Sequence, residues 1–202
     1  MVRCNMKKGE NTKQFIVEKA AEIFNQKGYS GGTLQDIMEA TGLQKGGVYR
    51  HFENKDEIAL EAFDFAFSIM EKRFINVLNK ENTAYGKLIA IINVYTDIIE
   101  NPPLIGGCPL LNTAIDSENT HPLLKEKAIK AMDKWINMIK SILSSGITRN
   151  EFKHDIEIDY IPSFIISTIE GAVMISRLYN DSKHIKYACD QLAEFVNEKI
   201  KL

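Results

Sequence analysis

The chain has 202 residues, 45% of them hydrophobic and 26% charged, a globular composition that excludes a disordered or low-complexity protein, and its length suits one large domain or a small one attached to a larger one. Its three cysteines, Cys4, Cys108 and Cys189, are odd in number and far apart, which excludes a disulfide framework and a cysteine zinc site. The net charge of −2 hides an asymmetry: residues 1–55 hold nine Lys and Arg (Arg3, Lys7 and Lys8 among them) against six Asp and Glu, a net +3, while the rest holds sixteen against twenty-one, a net −5. A basic end on an acidic body points to an anionic partner at the N-terminus.

No apolar run approaches the ~18–20 residues of a membrane span. The opening "MVRCNMKKGENTKQ" lacks the apolar core of a signal peptide, so a cytoplasmic chain with no membrane partner is expected. Helical periodicity runs nearly throughout and strand signals are almost absent, which predicts an all-α fold of about nine helices.

In chain order, the first helix is expected over about 11–27, with Ile16, Ala20 and Phe24 on its buried face and its end near Gly28. The second spans about 34–41, opened by Thr33 as N-cap with Asp36 three residues on, and stopped at Gly42. The third, about 45–52, buries Val48 and Phe52. A fourth starts after Asn54, with Glu57 in a box-like position, and continues to about residue 80. Further helices are expected over about 84–100, 107–117, 122–146, 157–180 and 184–201, separated by "NPPLIGG", "HP", "SSG" and "LYNDSKH". The expected organisation is a three-helix head over 1–54 and a helical body over 55–202, joined by the helix 55–80.

The segment "TGLQKGGVYRHF", residues 41–52, concentrates Lys45, Arg50 and His51 around two adjacent glycines. Two short helices joined by a tight turn, the second one basic, describe a helix-turn-helix, whose second helix enters the major groove of DNA. Gly46 and Gly47 would let the backbone approach the duplex and leave amide donors for it. The alternative is a helical corner whose charged face is merely solvated.

The run "TLQDIMEATGLQKGGVYRHFENKDEI", with the preceding "AAEIFNQKGYSGGT", resembles the DNA-binding head of TetR/AcrR-family transcriptional regulators over about residues 11–60. Val48 departs from the usual leucine or phenylalanine but keeps an apolar core position. The resemblance implies that Thr33, Tyr49 and Lys55 hold phosphates, and that Lys45, Gly46 and Arg50 lie near base edges with Gln44 beside them. His51 either touches DNA or supports the helix. It further implies a homodimer on a palindromic operator of double-stranded DNA, most simply a repressor, with a small, largely apolar effector bound in the body.

Within the body, Ser163, Ser167 and Gly171 form a small-residue stripe flanked by Ile166, Ile169, Val173 and Leu178. It reads as a dimer surface, with packing inside one chain as the alternative. Phe67, Tyr95, Cys108, Met132, Trp135, Ile139, Phe164 and Thr168 are the effector-cavity candidates, aromatic walls with a few polar handles. "GGCPLLNTAID" resembles a stretch bordering the cavity in some ligand-responsive members of the family, which adds Asn112 and supports Cys108. A redox role for Cys108 finds no basic neighbour in sequence to lower its pKa.

Two rival functions remain at this stage. Glu118/His121 and Glu151/His154 are Glu-x-x-His pairs of the kind that bind di-iron centres in four-helix bundles, but the first runs into Pro122 and the second lies in a connection. A structural helical adaptor is the other. No phosphate-binding loop, hydrolase elbow or zinc-protease motif is present, so no catalytic residue, metal or cofactor is expected.

Overall fold

The structure is a computed structural model that describes the backbone of residues 2–202 and the side chains of residues 9–202. The side chains of Arg3, Cys4, Lys7 and Lys8 lie outside the described residues. Among the described residues nine α-helices follow in order: α1 (Val2–Gly31), α2 (Leu34–Thr41), α3 (Lys45–Val48), α4 (Lys55–Leu78), α5 (Ala84–Asn93), α6 (Pro109–Ser117), α7 (Pro122–Thr148), α8 (Ile161–Tyr179) and α9 (Lys183–Phe195), the last running into a wide turn over Val196–Ile200. Among the described residues there is no strand, only one isolated antiparallel bridge between Phe152 and Lys201.

By packing, the chain forms two compact units that do not divide at residue 54. The first is residues 1–69 with 104–129, and the second is residues 70–103 with 130–202. Thus α4 and α7 each contribute to both. The core of the first unit gathers Ile16, Val17, Ala20 and Ala21 of α1, Ile37 of α2, Val48 of α3, and Phe52, Ile58, Ala62 and Ala66. Burying side chains such as Ile37, Val48 and Phe52 stabilises the head by ~1.5–3 kcal/mol each. The second unit centres on Phe74, Leu88, Ile92, Trp135, Leu143, Phe152, Ile165 and Leu192, all buried.

Local chemistry explains the helix ends. Thr33 and Asp36 form the full capping box, worth ~1 kcal/mol: the Asp36 amide donates to Thr33 Oγ1 at 3.1 Å and the Thr33 amide donates to Asp36 Oδ2 at 2.8 Å. Gly42 ends α2 at φ 70°, a left-handed position that a Cβ disfavours. At α4, Asn54 Oδ1 accepts from the Glu57 amide at 2.9 Å, but the Glu57 carboxylate reaches the Glu53 amide (2.7 Å) instead of completing a box. Thr83 caps α5 and the His121 imidazole caps α7, its Nδ1 accepting from the Leu124 amide at 3.1 Å.

Three helices are shorter than their periodicity suggests. α3 stops at Val48, and the next bond, from the His51 amide to the Val48 carbonyl, is a tight turn. α5 stops at Asn93, and beyond it the Tyr95, Thr96 and Ile98 amides each donate to the carbonyl three residues back, a run of tight turns in place of helix. α8 begins at Ile161 with Pro162 in its first turn, where a missing amide costs nothing. α8 also corrects the membrane expectation: by length and composition it is the one helix among the described residues that could cross a membrane, with mean hydropathy 1.3. Half of that stretch is buried within the protein, including the carboxylate of Glu170, as in a core helix.

Candidate nucleic-acid interface and effector cavity

The short α3 is held by Val48 on its inner side, so its other side chains face outward. Gln44, Lys45, Gly46, Tyr49 and Arg50 are exposed, Tyr49 at 41%, and Gly47 and His51 are half-buried. Neither Lys45 nor Arg50 pairs with an acid among the described residues; the Lys45 ammonium lies 5.7 Å from the centre of the Tyr49 ring. Gln44 gives no side-chain cap, so the Lys45 and Gly46 amides at the start of the helix have no intrahelical acceptor.

The two glycines have no internal reason to be glycine. Neither has a positive φ. A Cβ on Gly46 would meet nothing within 4 Å, and one on Gly47 would meet only the Leu43 side chain at an ordinary 3.5 Å. The helix would be firmer with alanine at both positions.

Thr33 and Lys55 are exposed to different degrees and both are already engaged. The Thr33 hydroxyl donates to Asp36 Oδ2 (2.8 Å), whose other oxygen accepts from Lys27 at 2.6 Å. The Lys27 contact, then the Thr33 backbone and hydroxyl, lower the Asp36 pKa from 3.8 to about 2. Lys55 is half-buried, donates to the Tyr29 carbonyl, and stands 4.2 Å from the centre of the Tyr29 ring. Burial lowers its pKa, against the pull of Asp56, Asp116 and Asp36. Two of its three ammonium hydrogens stay available to a further acceptor.

The effector candidates divide between the units. Phe67 belongs to the first, stacked on Phe63 with centroids 6.1 Å apart. Cys108 is buried at the N-cap of α6. Asn112 fastens α6 to α1, its amide donating to the Asn25 carbonyl (3.0 Å), Asn25 Oδ1 (3.0 Å) and the Gly106 carbonyl (2.8 Å). In the second unit, Tyr95, Trp135 and Ile139 meet at one cavity, together with Phe74, Ile91, Met138, Ile165, Ile166, Ile169 and Glu170. Its free volume is about 10 Å³, room for about one water.

Met132 does not line it. Phe164 turns outward beside Phe195, ring centres 4.9 Å apart, and the Thr168 hydroxyl donates to the Phe164 carbonyl at 2.7 Å. Sequence reasoning missed Phe74, Met138 and Glu170. The one available signal was Glu170 itself, an acid inside the apolar run "IPSFIISTIEGAVMISRL".

The dimer candidates also separate. Ser163, Ser167 and Leu178 are exposed and Gly171 opens onto empty space, but Ile166, Ile169 and Val173 point into the core of their own unit, the first two into the cavity. The outward face of α8 instead carries Tyr160, Phe164, Ser167, Gly171, Met174 and Leu178, spaced alternately four and three residues apart, a heptad pattern. The Glu-x-x-His residues serve locally: His121 caps α7, Glu151 accepts from the Tyr85 amide (3.0 Å), and His154 bonds Asn150. Among the described residues no three His, Cys, Asp or Glu side chains are grouped to hold a metal ion.

Residues 16–62 match the profile of bacterial regulatory proteins of the tetR family, and residues 84–192 match the tetracyclin repressor-like C-terminal domain. A TetR transcriptional regulator from Chloroflexus aurantiacus J-10-FL is 40% identical, with a TM-score of 0.94 over 97% of this chain and 99% of its own. A TetR-family regulator from Cytophaga hutchinsonii is 33% identical, with a TM-score of 0.88 over 96% and 97%. Among curated relatives, the HTH-type transcriptional repressor DhaR of Mycobacterium sp. (strain GP1) is 25% identical over 80% of each chain.

Proposed function

The chain belongs to the TetR family of DNA-binding transcriptional regulators, and on that premise we propose that it is a homodimeric cytoplasmic repressor, released from a palindromic operator by a small-molecule effector. The observation that carries the DNA reading is the outward face of α3: Gln44, Lys45, Gly46, Tyr49 and Arg50 are exposed and the two cations have no described acidic partner. Side chains at the start of a recognition helix read base edges, and Arg50 can do so bidentately. Tyr49, Thr33 and the remaining donors of Lys55 hold phosphates beside it. For Thr33 the hydroxyl must turn from Asp36 toward the phosphate.

The dimer reading rests on the exposed apolar face of α8, where Phe164, Met174 and Leu178 border the small residues Ser167 and Gly171. Large exposed apolar faces mark association surfaces, and Gly171 permits close crossing. The effector reading rests on the cavity of the second unit. Phe74, which lines it, stands on α4, and the first residue of α4 is Lys55. With 24 residues at 1.5 Å each, α4 is about 36 Å long. A ligand that displaces Phe74 biases that helix and so the spacing of the two recognition helices. Such coupling is reciprocal, so operator DNA weakens effector binding by the same factor.

Selection of bound sites from random duplex DNA, followed by footprinting, tests the reading. A repressor of this kind yields a palindrome with half-sites about 34–36 Å apart or a multiple of that. Recovery of no shared sequence, or of a single unpaired half-site, refutes it.

A further inference from the structure

We propose that Asn112 and Asp116 of α6 are positioning residues for DNA binding: they take up the two halves of a hydrogen bond that α1 gives up at Gly28, and so fix Tyr29 and, through it, the Lys55 ammonium that meets phosphate. The inference rests on reading Lys55 as a phosphate contact and names the residues that hold it in place.

In an unbroken helix the Tyr29 amide would donate to the Asn25 carbonyl, four residues back. At Gly28 the backbone leaves the helical region, with φ 73° and ψ 168°, and that pair separates. Two side chains of α6 replace it from outside. The Tyr29 amide donates to Asp116 Oδ2 at 2.6 Å, and the Asn112 side-chain amide donates to the Asn25 carbonyl at 3.0 Å. Asn112 and Asp116 are one turn apart on α6 and share a face, so a donor and an acceptor meet the broken turn together. Asn25 is only 8% exposed, and polar groups buried there are costly to leave without partners.

The surroundings hold this clasp in one form. A Cβ on Gly28 would come within 2.9 Å of Asp116 Oδ1, and one on Gly106 within 2.5 Å of the Asn25 carbonyl oxygen. Both glycines are therefore needed for α6 and the loop before it to approach so closely. Asn25 Nδ2 donates to the Ile105 and Gly107 carbonyls, each at 3.0 Å, which ties that loop to the same point.

Tyr29 passes the placement on. Its carbonyl accepts from Lys55 Nζ at 2.5 Å, its ring centre lies 4.2 Å from the same ammonium, and its hydroxyl donates to Asp56. A displaced Tyr29 moves both the acceptor and the ring that orient Lys55. Burial lowers the Lys55 pKa, and the charges of Asp56 and then Asp116 oppose it, so Asp116 also supports the ammonium through space.

Four full-length variants test the inference: Lys55→Ala, Asp116→Leu, Asp116→Asn and the double variant Lys55→Ala with Asp116→Leu. Each is titrated onto random-sequence duplex DNA by fluorescence anisotropy at several salt concentrations, since phosphate contacts carry no sequence information. Asp116→Leu is expected to weaken binding about tenfold and to flatten the dependence of log affinity on log salt by about 1, as Lys55→Ala does. Asp116→Asn, whose carboxamide oxygen still accepts from the Tyr29 amide, stays close to the parent. In the double variant the second change adds little, because both changes remove one contact. A role confined to holding the fold gives additive losses and an unchanged salt slope. Circular dichroism confirms that each variant is folded; should Asp116→Leu fail to fold, Asp116→Ala and Asn112→Ala carry the same expectations. Additive losses, an unchanged slope in Asp116→Leu, or an Asp116→Asn protein as weak as Asp116→Leu overturns the inference. If Lys55→Ala weakens binding and flattens the slope while Asp116→Leu does neither, the phosphate reading of Lys55 stands and the clasp falls. If Lys55→Ala changes neither, both fall.

Discussion

Replacing Gly46 by alanine separates what the head needs for itself from what it needs for its partner. The added methyl meets nothing within 4 Å and the backbone there has no positive φ, so the fold accepts it without strain. Alanine in place of glycine inside a helix stabilises by roughly 0.5–1 kcal/mol, and less in the first turn where Gly46 lies. For a chain of 202 residues that raises the melting temperature by about 1–3 °C. The same methyl lies on the exposed face of α3. If DNA approaches the backbone there, a close-packed interface must shift to admit it, at ~1–3 kcal/mol, or roughly 5–150-fold in affinity. Circular-dichroism melting of the free protein and fluorescence anisotropy with a selected operator measure the two effects. They are expected with opposite signs, a firmer protein that binds more weakly. A Gly46→Ala protein that binds operator as well as the parent, or better, refutes the close-approach explanation.

Arg50→Ala is expected to relax the preference at particular base positions by ~1–3 kcal/mol if the contact is bidentate, and equal losses on operator and random DNA would remove its base-reading role. Gly171→Leu should leave each protomer folded, since the site opens onto empty space, while sedimentation shows a monomer with poor operator binding; an intact dimer moves the interface elsewhere. The Asp36 carboxyl should titrate near 2 by NMR, because the fold favours its ionised form through Lys27 first and Thr33 second. Its contribution is therefore complete above the ordinary carboxylate value of 3.8 and disappears as pH falls through about 2. Lys27→Ala should raise that midpoint more than Thr33→Val, and a native midpoint near 4 would mean that the capping network is not formed in solution.

The head was readable from residue order because its signals are local. The Thr33–Asp36 box, the left-handed Gly42 and the apolar Val48 and Phe52 each act within one or two turns, and α2 lies where these signals put it. The exposed face of α3 follows from one buried anchor and the helical repeat. Length was harder to read, because apolar periodicity continues past Asn93 where the backbone has already passed from helix into tight turns.

The body depended on packing that no sequence window contains. On α8 every third or fourth residue is apolar around most of the helix, so periodicity alone cannot say which face turns inward. The neighbours of α8 decide it: Ile166 and Ile169 face the cavity rather than a partner, while Phe164 turns out beside Phe195. Asn112 lines a different cavity, one in the first unit, and its amide is held there by Asn25 and Gly106, the former 87 positions away. A DNA-facing surface such as the one proposed for α3 can be argued from charge and glycine pattern alone, because surface residues meet solvent whatever the rest of the chain does. A cavity is made of side chains from several helices, and only their docking shows that Phe74, Trp135 and Glu170 share one.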